Sequence, residues 1–305
     1  MLKSRIGMPL DRPNERSLHS RPVPRSGGVA IMAGTLAAFV LLPAPMPLAA
    51  PALALACVSL AEDWRGLPIV LRFLAHAAAA AAFVLLALEG LPWWLQAVAA
   101  VAVMWMTNLY NFMDGSDGLA GGMTLCGFGF LGIAAWSGND PTLALAAFCV
   151  AAPALVFLFY NFHPARIFMG DTGSIPLGFL AAALGALGWQ RNLWPFWYPL
   201  LVFAPFIADA SVTLLRRILR GERFWKAHRS HYYQRLVQMG WGHRKTALAE
   251  YVLMLVCGFA ALLALAAPPH LQAAVVVAVA ALFVSLALWV DTSWRRSGKA
   301  SLEAL

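Results

Sequence analysis

Charge is what this chain has least of. Of its 305 residues only 12% are Asp, Glu, Lys or Arg, and acids are the scarcer sign, 14 against 22 bases. An ordinary soluble domain carries roughly 25% charged residues, so this composition cannot clothe a water-facing surface and excludes a soluble globular enzyme. Cysteine is scarce as well. Cys57, Cys126, Cys149 and Cys257 each sit in an apolar run, where a small buried hydrophobe is the default and neither a disulfide framework nor a thiolate metal site is indicated. Gly (24) and Pro (19) are too few for a low-complexity chain. No internal repeat, no soluble domain and no nucleic-acid partner is expected. Residues 1–27 are basic and polar, so no cleavable leader is expected either.

What the chain has instead is apolar length. Hydrophobic residues make up 61% and the mean hydropathy is +0.70. A spanning helix needs about 20 mostly apolar residues, because the hydrocarbon core is about 30 Å thick. Ten segments approach or meet that length: 28–48, 50–61, 69–89, 93–111, 118–137, 141–161, 174–190, 196–216, 246–267 and 270–290. The second is short and the seventh marginal. Turn chemistry bounds them, at Pro43-Ala44-Pro45, Gly90-Leu91-Pro92, Asn139-Asp140-Pro141 and Pro268-Pro269. The reading is an all-α, polytopic integral membrane protein with about 10 transmembrane helices. It is taken as a single membrane-embedded domain, 1–305, with a cytoplasmic N-terminal segment (1–27), a cytoplasmic basic loop (217–245) and a cytoplasmic tail (291–305).

Orientation follows from Lys and Arg, which stay on the cytoplasmic side during insertion. With both termini cytoplasmic, the inside loops are 62–68, 112–117, 162–173 and 217–245. Of the 22 basic residues only Arg191 then falls in an outside loop, with Arg72 near the start of a span. Trp93, Trp94, Trp194 and Trp197 fall where an interfacial aromatic belt belongs. Every polar cluster with chemical character lies in an inside loop, which implies a site facing the cytoplasm.

Four clusters stand out. Asn108-Leu-Tyr-Asn111-Phe-Met-Asp114-Gly115-Ser116-Asp117-Gly118 joins two spans and sets two carboxylates three residues apart, each followed by glycine. Such acids can converge on a hard divalent cation beside a phosphate-bearing substrate, or they can be interfacial turn formers. His163-Pro-Ala-Arg166-Ile-Phe-Met-Gly170-Asp171-Thr172-Gly173-Ser174 puts an acid between glycines at a helix start, as a metal ligand near an anion site or as a plain cap. Glu62-Asp63-Trp64-Arg65 adds two adjacent acids, or a solvated turn. The loop Arg216–Lys245 holds nine basic residues, including Arg216, Arg217, Arg220, Arg223, Lys226 and Arg235, around His228-Arg229-Ser230-His231. These groups suit phosphates, or the anionic lipid surface that any basic cytoplasmic loop meets. Asp209, at membrane depth, faces a polar cavity or pairs with Arg216 two turns on. Gly127, Gly129 and Gly132 read as close helix packing, and His76 as structural.

Together these stretches resemble the polyprenyl-phosphate N-acetylhexosamine-1-phosphate transferases, from Asp11-Arg-Pro-Asn-Glu-Arg-Ser-Leu-His19 and Pro24-Arg-Ser-Gly-Gly28 through to Arg235. The variant histidine motif is closest to the O-antigen initiators. The resemblance implies catalytic roles for Glu62, Asp63, Asp114 and Asp117. It implies Asp171 as ligand to Mg²⁺ (Mn²⁺ also fits), and substrate contacts from Asn108, His228, Arg229 and His231. Arg25, with Arg16 and Arg21, would guide the lipid phosphate. The implied reaction transfers HexNAc-1-phosphate from a UDP-N-acetylhexosamine to undecaprenyl phosphate at the bacterial inner membrane, releasing UMP, either directly or through a carboxylate such as Asp114. A homodimer is compatible with it, as are membrane-lipid contacts. Three departures accompany the likeness: Glu62 where the family has Asp, Ser230 in place of a histidine, and no span ahead of Asp11. A catalytically degenerate member and an ion-coupled transporter are the competing readings.

Overall fold

Helices of membrane length need long apolar sequence, and punctuating residues decide where each one ends. A computed structural model of the chain describes residues 10–11, 18, 21–41, 46–222 and 228–298. Among the described residues it is α-helical apart from a small ribbon, β1 (Leu10–Asp11) antiparallel to β2 (Val23–Pro24). Among the described residues follow α1 (Gly27–Leu41), α2 (Met46–Arg65), α3 (Ile69–Ala87), α4 (Trp93–Phe112), α5 (Leu119–Ser137) and α6 (Pro141–Asn161). After them come α7 (Asp171–Gln190), α8 (Trp197–Val202), α9 (Ala204–Leu219), α10 (Tyr232–Leu236), α11 (Gly242–Leu265) and α12 (Pro269–Arg296), with a π turn at Val237–Trp241. Pro43-Ala44-Pro45, Arg16, His19, Arg223, Lys226 and residues 299–305 lie outside the described residues.

Each of the ten apolar segments carries helix, and seven helical stretches are long and apolar enough to cross a membrane unaided: α2, α3, α5, α6, α7, α12 and the run from α10 through α11. The chain is therefore a polytopic membrane protein. The remaining three segments explain the difference from ten. The first, α1, is apolar but has only 15 residues, and α4 is diluted by Gln96, Asn108 and Asn111. The eighth segment, expected as one span, breaks at Phe203 into α8 and α9, because Pro205 opens a helix well but cannot continue one. The second segment is longer than expected. As α2 it runs to Arg65, so Glu62 and Asp63 ride on its last turn. Of the tryptophans, Trp93 and Trp94 are exposed, whereas Trp194 is buried and donates from Nε1 to the carbonyl of Gly185 at 2.9 Å.

Helix α7 occupies the centre, against α1, α2 and α4. It is buried on nearly every side, which is possible because its small residues admit neighbours closely: a Cβ on Gly178 would stand 2.5 Å from the carbonyl oxygen of Met106. Helix α12 is the opposite case. Val279, Val290 and Trp294 are its buried residues, while Leu271, Val277, Val284 and Leu288 project outward. Such a surface requires hydrocarbon as its solvent.

One backbone contact sets the site. Gly27 and Gly28 donate from N to the carbonyls of Phe168 and Met169, both at 2.9 Å, and Phe168 N donates to Pro24 O at 2.8 Å. A Cβ on Gly28 would lie 2.2 Å from Gly173 N, so only glycine lets the starts of α1 and α7 meet. The Pro24–Gly28 and Gly170–Gly173 motifs thus form one structural unit.

Candidate active site

The ends of α2, α4 and α6 and the starts of α1, α5, α7, α10 and α11 gather at one end of the bundle. There they enclose a cavity of 220 Å³ whose lining includes Asp11, Leu18, Arg25, Asn111, Asp114, Ser116, Asp117, Asn161, Asp171, Gln234 and His243. The three aspartates singled out in sequence, Asp114, Asp117 and Asp171, therefore share one cavity, and Arg25 joins them.

Hydrogen bonding sorts the acids by what each is free to do. Asp63 is engaged: its Oδ1 accepts from Asp171 N (3.3 Å) and its Oδ2 from Thr172 N (3.0 Å) and Thr172 Oγ1 (2.7 Å). It caps α7 from another helix, behind the cavity wall, with a side chain 1% exposed and Arg25 Nη1 at 3.7 Å. Glu62 accepts from Leu67 N and, at 2.9 Å, from Arg72 Nη1, so it closes the turn between α2 and α3. Asp117 Oδ2 accepts from His163 Nδ1 at 2.7 Å and Ala165 N at 3.1 Å. Among the described residues, neither Asp114 nor Asp171 accepts a hydrogen bond through its side chain. The nearest cation to Asp171 is Arg72, 3.6 Å away. Burial first, then the charge of Asp171, pushes the Asp114 carboxyl well above the usual carboxylate range, with Arg25 pulling the other way. Asp171 is thus held by Arg72 alone, at 3.6 Å, and among the described residues no side-chain hydrogen bond occupies either carboxyl, which leaves both open to a further ligand.

Glycine conformations place these groups. Gly118 (φ 77°) starts α5 and Gly170 (φ 73°) starts α7. Gly118 is gripped from both sides: its N donates to Asn161 Oδ1 at 2.9 Å, and its carbonyl accepts from Tyr251 Oη at 2.7 Å. Asn161 in turn donates to Ile167 O at 2.9 Å, which fixes the loop that carries Asp171.

The remaining candidates part company. Asn108 lies outside the cavity lining and donates to Met104 O one turn back at 2.7 Å; Asn111, a turn onward, lines the cavity and accepts from Ser174 Oγ at 2.8 Å. His231 is buried beside Asp209, Nδ1 to Oδ1 at 3.1 Å, and its backbone N donates to Gln234 Oε1, a cavity residue, at 3.2 Å. Asp209 does not pair with Arg216, which binds Asp291 at 2.6 Å. His228 stacks on His231 at 4.9 Å between centroids and shares a 2.8 Å hydrogen bond with Ser230 Oγ, so the serine that departs from the family pattern holds the first histidine. Burial, then the charges of His231 and Arg217, push His228 down to about 3. His228 and Arg229 face a separate cavity of 390 Å³.

Three cavity residues, His243, Asn161 and Gln234, are not among those the sequence singles out. Gln234 is legible as a neighbour of the histidine motif. His243 has no local signal, because it reaches the site only through the fold, accepting from or donating to Ser116 Oγ at 2.9 Å and meeting Leu18 O at 3.1 Å. Its ring stacks on His163 at 5.6 Å.

Comparison with known proteins shows the family of the chain. Residues 46–188 match the model of glycosyl transferase family 4. The chain is 31% identical over 264 residues to a probable undecaprenyl-phosphate N-acetylglucosaminyl 1-phosphate transferase of Bacillus subtilis, covering 80% of this chain and 74% of that one. It is 30% identical over 317 residues to the decaprenyl-phosphate N-acetylglucosaminephosphotransferase of Mycobacterium tuberculosis, covering 86% and 76%. It is 28% identical over 268 residues to the undecaprenyl-phosphate alpha-N-acetylglucosaminyl 1-phosphate transferase of Yersinia pestis, covering 79% and 72%.

Proposed function

The chain belongs to glycosyl transferase family 4, and from that premise we propose that it transfers HexNAc-1-phosphate from a UDP-sugar, UDP-N-acetylglucosamine in the first instance, to undecaprenyl phosphate, with release of UMP. The observation that carries this reading is that Asp114 and Asp171 line one cavity with Arg25, and that among the described residues neither carboxyl accepts a side-chain hydrogen bond. The transporter alternative finds no support among the relatives.

Two anionic reactants must meet there, so charge has to be offset before a phosphate oxygen of the lipid can approach the sugar-linked phosphorus of the donor. Arg25, held by Asp11 at 2.8 Å and standing beside Asp63, is fixed at the cavity wall as a landing point for the acceptor's phosphate. Among the described residues no three His, Cys, Asp or Glu side chains form a ready-made metal cage. Two carboxyls facing one cavity, with no side-chain hydrogen bond among the described residues, do fit Mg²⁺ or Mn²⁺, hard cations held by one or two carboxylates, waters and substrate phosphates. Asp171, with Asp114 opposite, would hold the ion, which when bound supplies positive charge to the pyrophosphate. Asp63 acts one step back: by capping α7 it fixes the direction in which Asp171 points. His163 orients Asp117, and His231, locked by Asp209, borders the donor side through Gln234. The active site faces the cytoplasm of a bacterial inner membrane, where a soluble nucleotide-sugar and a lipid acceptor can both reach it.

Purified protein supplied with UDP-N-acetylglucosamine, undecaprenyl phosphate and Mg²⁺ should release UMP, and a chelator should stop release until Mg²⁺ is restored. Asp171→Asn should lower the rate by about two orders of magnitude or more, the scale of one lost electrostatic contact to developing charge, with the thermal unfolding profile unchanged. Full activity in that variant sinks the assignment.

A further inference from the structure

The loop that carries Asp114 and Asp117 is held by a side chain from another helix. Helix α4 ends at Phe112, and just beyond it Met113 N donates to Leu109 O at 3.1 Å and Asp114 N to Asn111 O at 3.3 Å. The carbonyl of Phe112 is one of the helix-end acceptors that must find a donor from elsewhere. That donor is the hydroxyl of Tyr233, at 3.1 Å, reaching across from α10. Tyr233 is fully buried, and its other end is fixed as well. Its backbone N donates to Asp209 Oδ2 at 2.9 Å, and its ring stacks on His231 at 5.9 Å between centroids. One residue thus connects α9 to the chain two places before Asp114.

Gly115 shows how closely the hydroxyl approaches. Unlike Gly118, Gly115 does not take a positive φ, so its backbone conformation does not call for glycine. What leaves no room for a side chain is Tyr233. A Cβ on Gly115 would stand 2.2 Å from the hydroxyl oxygen, with Tyr233 Cζ at 3.3 Å and Gln234 Nε2 at 3.6 Å. The ring would fill its space with or without the oxygen. The oxygen adds a fixed point on each side of Asp114, at the carbonyl two residues before it and at the residue after it.

We propose that Tyr233 is a positioning residue for Asp114, setting where that carboxyl stands relative to Asp171 by pinning the chain before and after it. The inference rests on the transfer reaction proposed above, in which the two acids share one ion. Gln234, next in the chain, lines the cavity with Asp114, and His231 caps α10. The same hydroxyl therefore keeps the segment that borders the donor in register with the acid loop.

Tyr233→Phe tests this, because it keeps the ring against His231 and the N–H on Asp209 and removes the oxygen alone. In purified protein supplied with UDP-N-acetylglucosamine, undecaprenyl phosphate and Mg²⁺, kcat should fall about tenfold or more, toward the roughly hundredfold that a displacement of about 1 Å can cost. KM for the UDP-sugar should stay within about twofold. A general loosening of α10 would raise that KM too, since His231 and Gln234 would move with it. Thermal unfolding without substrate checks the contact itself. Gly115→Ala should lower the unfolding temperature by about 2 °C or more in the parent. In the Tyr233→Phe background, where the oxygen is gone, about half of that loss or more should be recovered. Additive shifts overturn the contact. An unchanged kcat in Tyr233→Phe, or a KM that rises as kcat falls, overturns the positioning role. A parent that releases no UMP overturns the proposed reaction, and with it the role given to Tyr233, whatever the unfolding shifts are.

Discussion

Asp209 has two oxygens and four donors converging on them. Oδ1 accepts from His231 Nδ1 (3.1 Å), Tyr232 N (3.0 Å) and Thr213 Oγ1 (3.1 Å), and Oδ2 from Tyr233 N (2.9 Å). An asparagine offers one oxygen and turns an N–H₂ toward donors that need an acceptor. Each buried donor left unmet costs about 1–3 kcal/mol, which at 1.4 kcal/mol per decade is about ten- to hundredfold. Asp209→Asn should therefore release His231 and lower kcat/KM for the UDP-sugar by about that factor, with Asp209→Glu recovering part of it. A kinetic assay that finds the Asn variant unchanged would remove Asp209 from the positioning of His231. This residue also marks how far side-chain logic reaches from sequence. Its depth in an apolar helix announces a polar partner, and the nearest basic residue on its own helix is Arg216. The partner is instead His231, because α10 folds back onto α9 while Arg216 is drawn away by Asp291. The same blindness affects Asp63 and Glu62. Adjacent acids read alike in sequence, but only the fold shows one capping α7 and the other closing a turn.

At the scale of elements, apolar length and turn residues are enough to place the long helices, because a bilayer leaves so few alternatives for buried backbone. Where the reading stops short, the cause is local or tertiary. Pro205 divides the eighth segment, and the basic loop contains a helix, α10, too short to show a periodicity. The central position of α7 is unreadable for another reason: a helix apolar on all faces carries no stripe pointing to its neighbours. The contact of α1 with α7 is visible only as two glycine-rich motifs with no stated connection. It makes a sharp prediction. A methyl group on Gly28 would meet Gly173 N at 2.2 Å and Met169 O at 2.6 Å, backbone atoms that cannot rotate aside. Gly28→Ala should destabilise the protein by about 1–3 kcal/mol, as overpacking does, and should move Arg25 away from Asp63 and Asp171, with loss of activity. Gly129→Ala is the control. Nothing lies within 4 Å of the point its added methyl group would occupy, and alanine is the better helix former by about 1 kcal/mol. Comparable thermal stability for the two variants would mean that the contact of α1 with α7 is not close in the membrane.

At the scale of the whole molecule, the sequence carries an orientation in its charge, and the bundle turns that orientation into a site. Arg191 pairs with Asp140 at 2.7 Å across the loops that follow α7 and α5, at the end opposite the starts of those helices, where Asp117 and Asp171 stand. Among the described residues Arg25, Arg72, Arg166, Arg216, Arg217 and Arg235 lie on the segments that carry or adjoin the acid end, so insertion with that end inward would satisfy the preference of Lys and Arg for the cytoplasm. In that proposed orientation the acid cavity would open on the side that supplies nucleotide-sugars. Two positions test this without touching the cavity. Gly90, in the loop between α3 and α4, has open space around its Cβ position, and Ser297, just past α12, is exposed. In a background with the exposed Cys57 replaced by alanine, Gly90→Cys should react with a membrane-impermeant maleimide added to intact spheroplasts. Ser297→Cys should react only after permeabilisation, because α12 returns the chain to the inner face. The opposite labelling pattern would turn the cavity away from the cytoplasm and leave the proposed donor unable to reach Asp171.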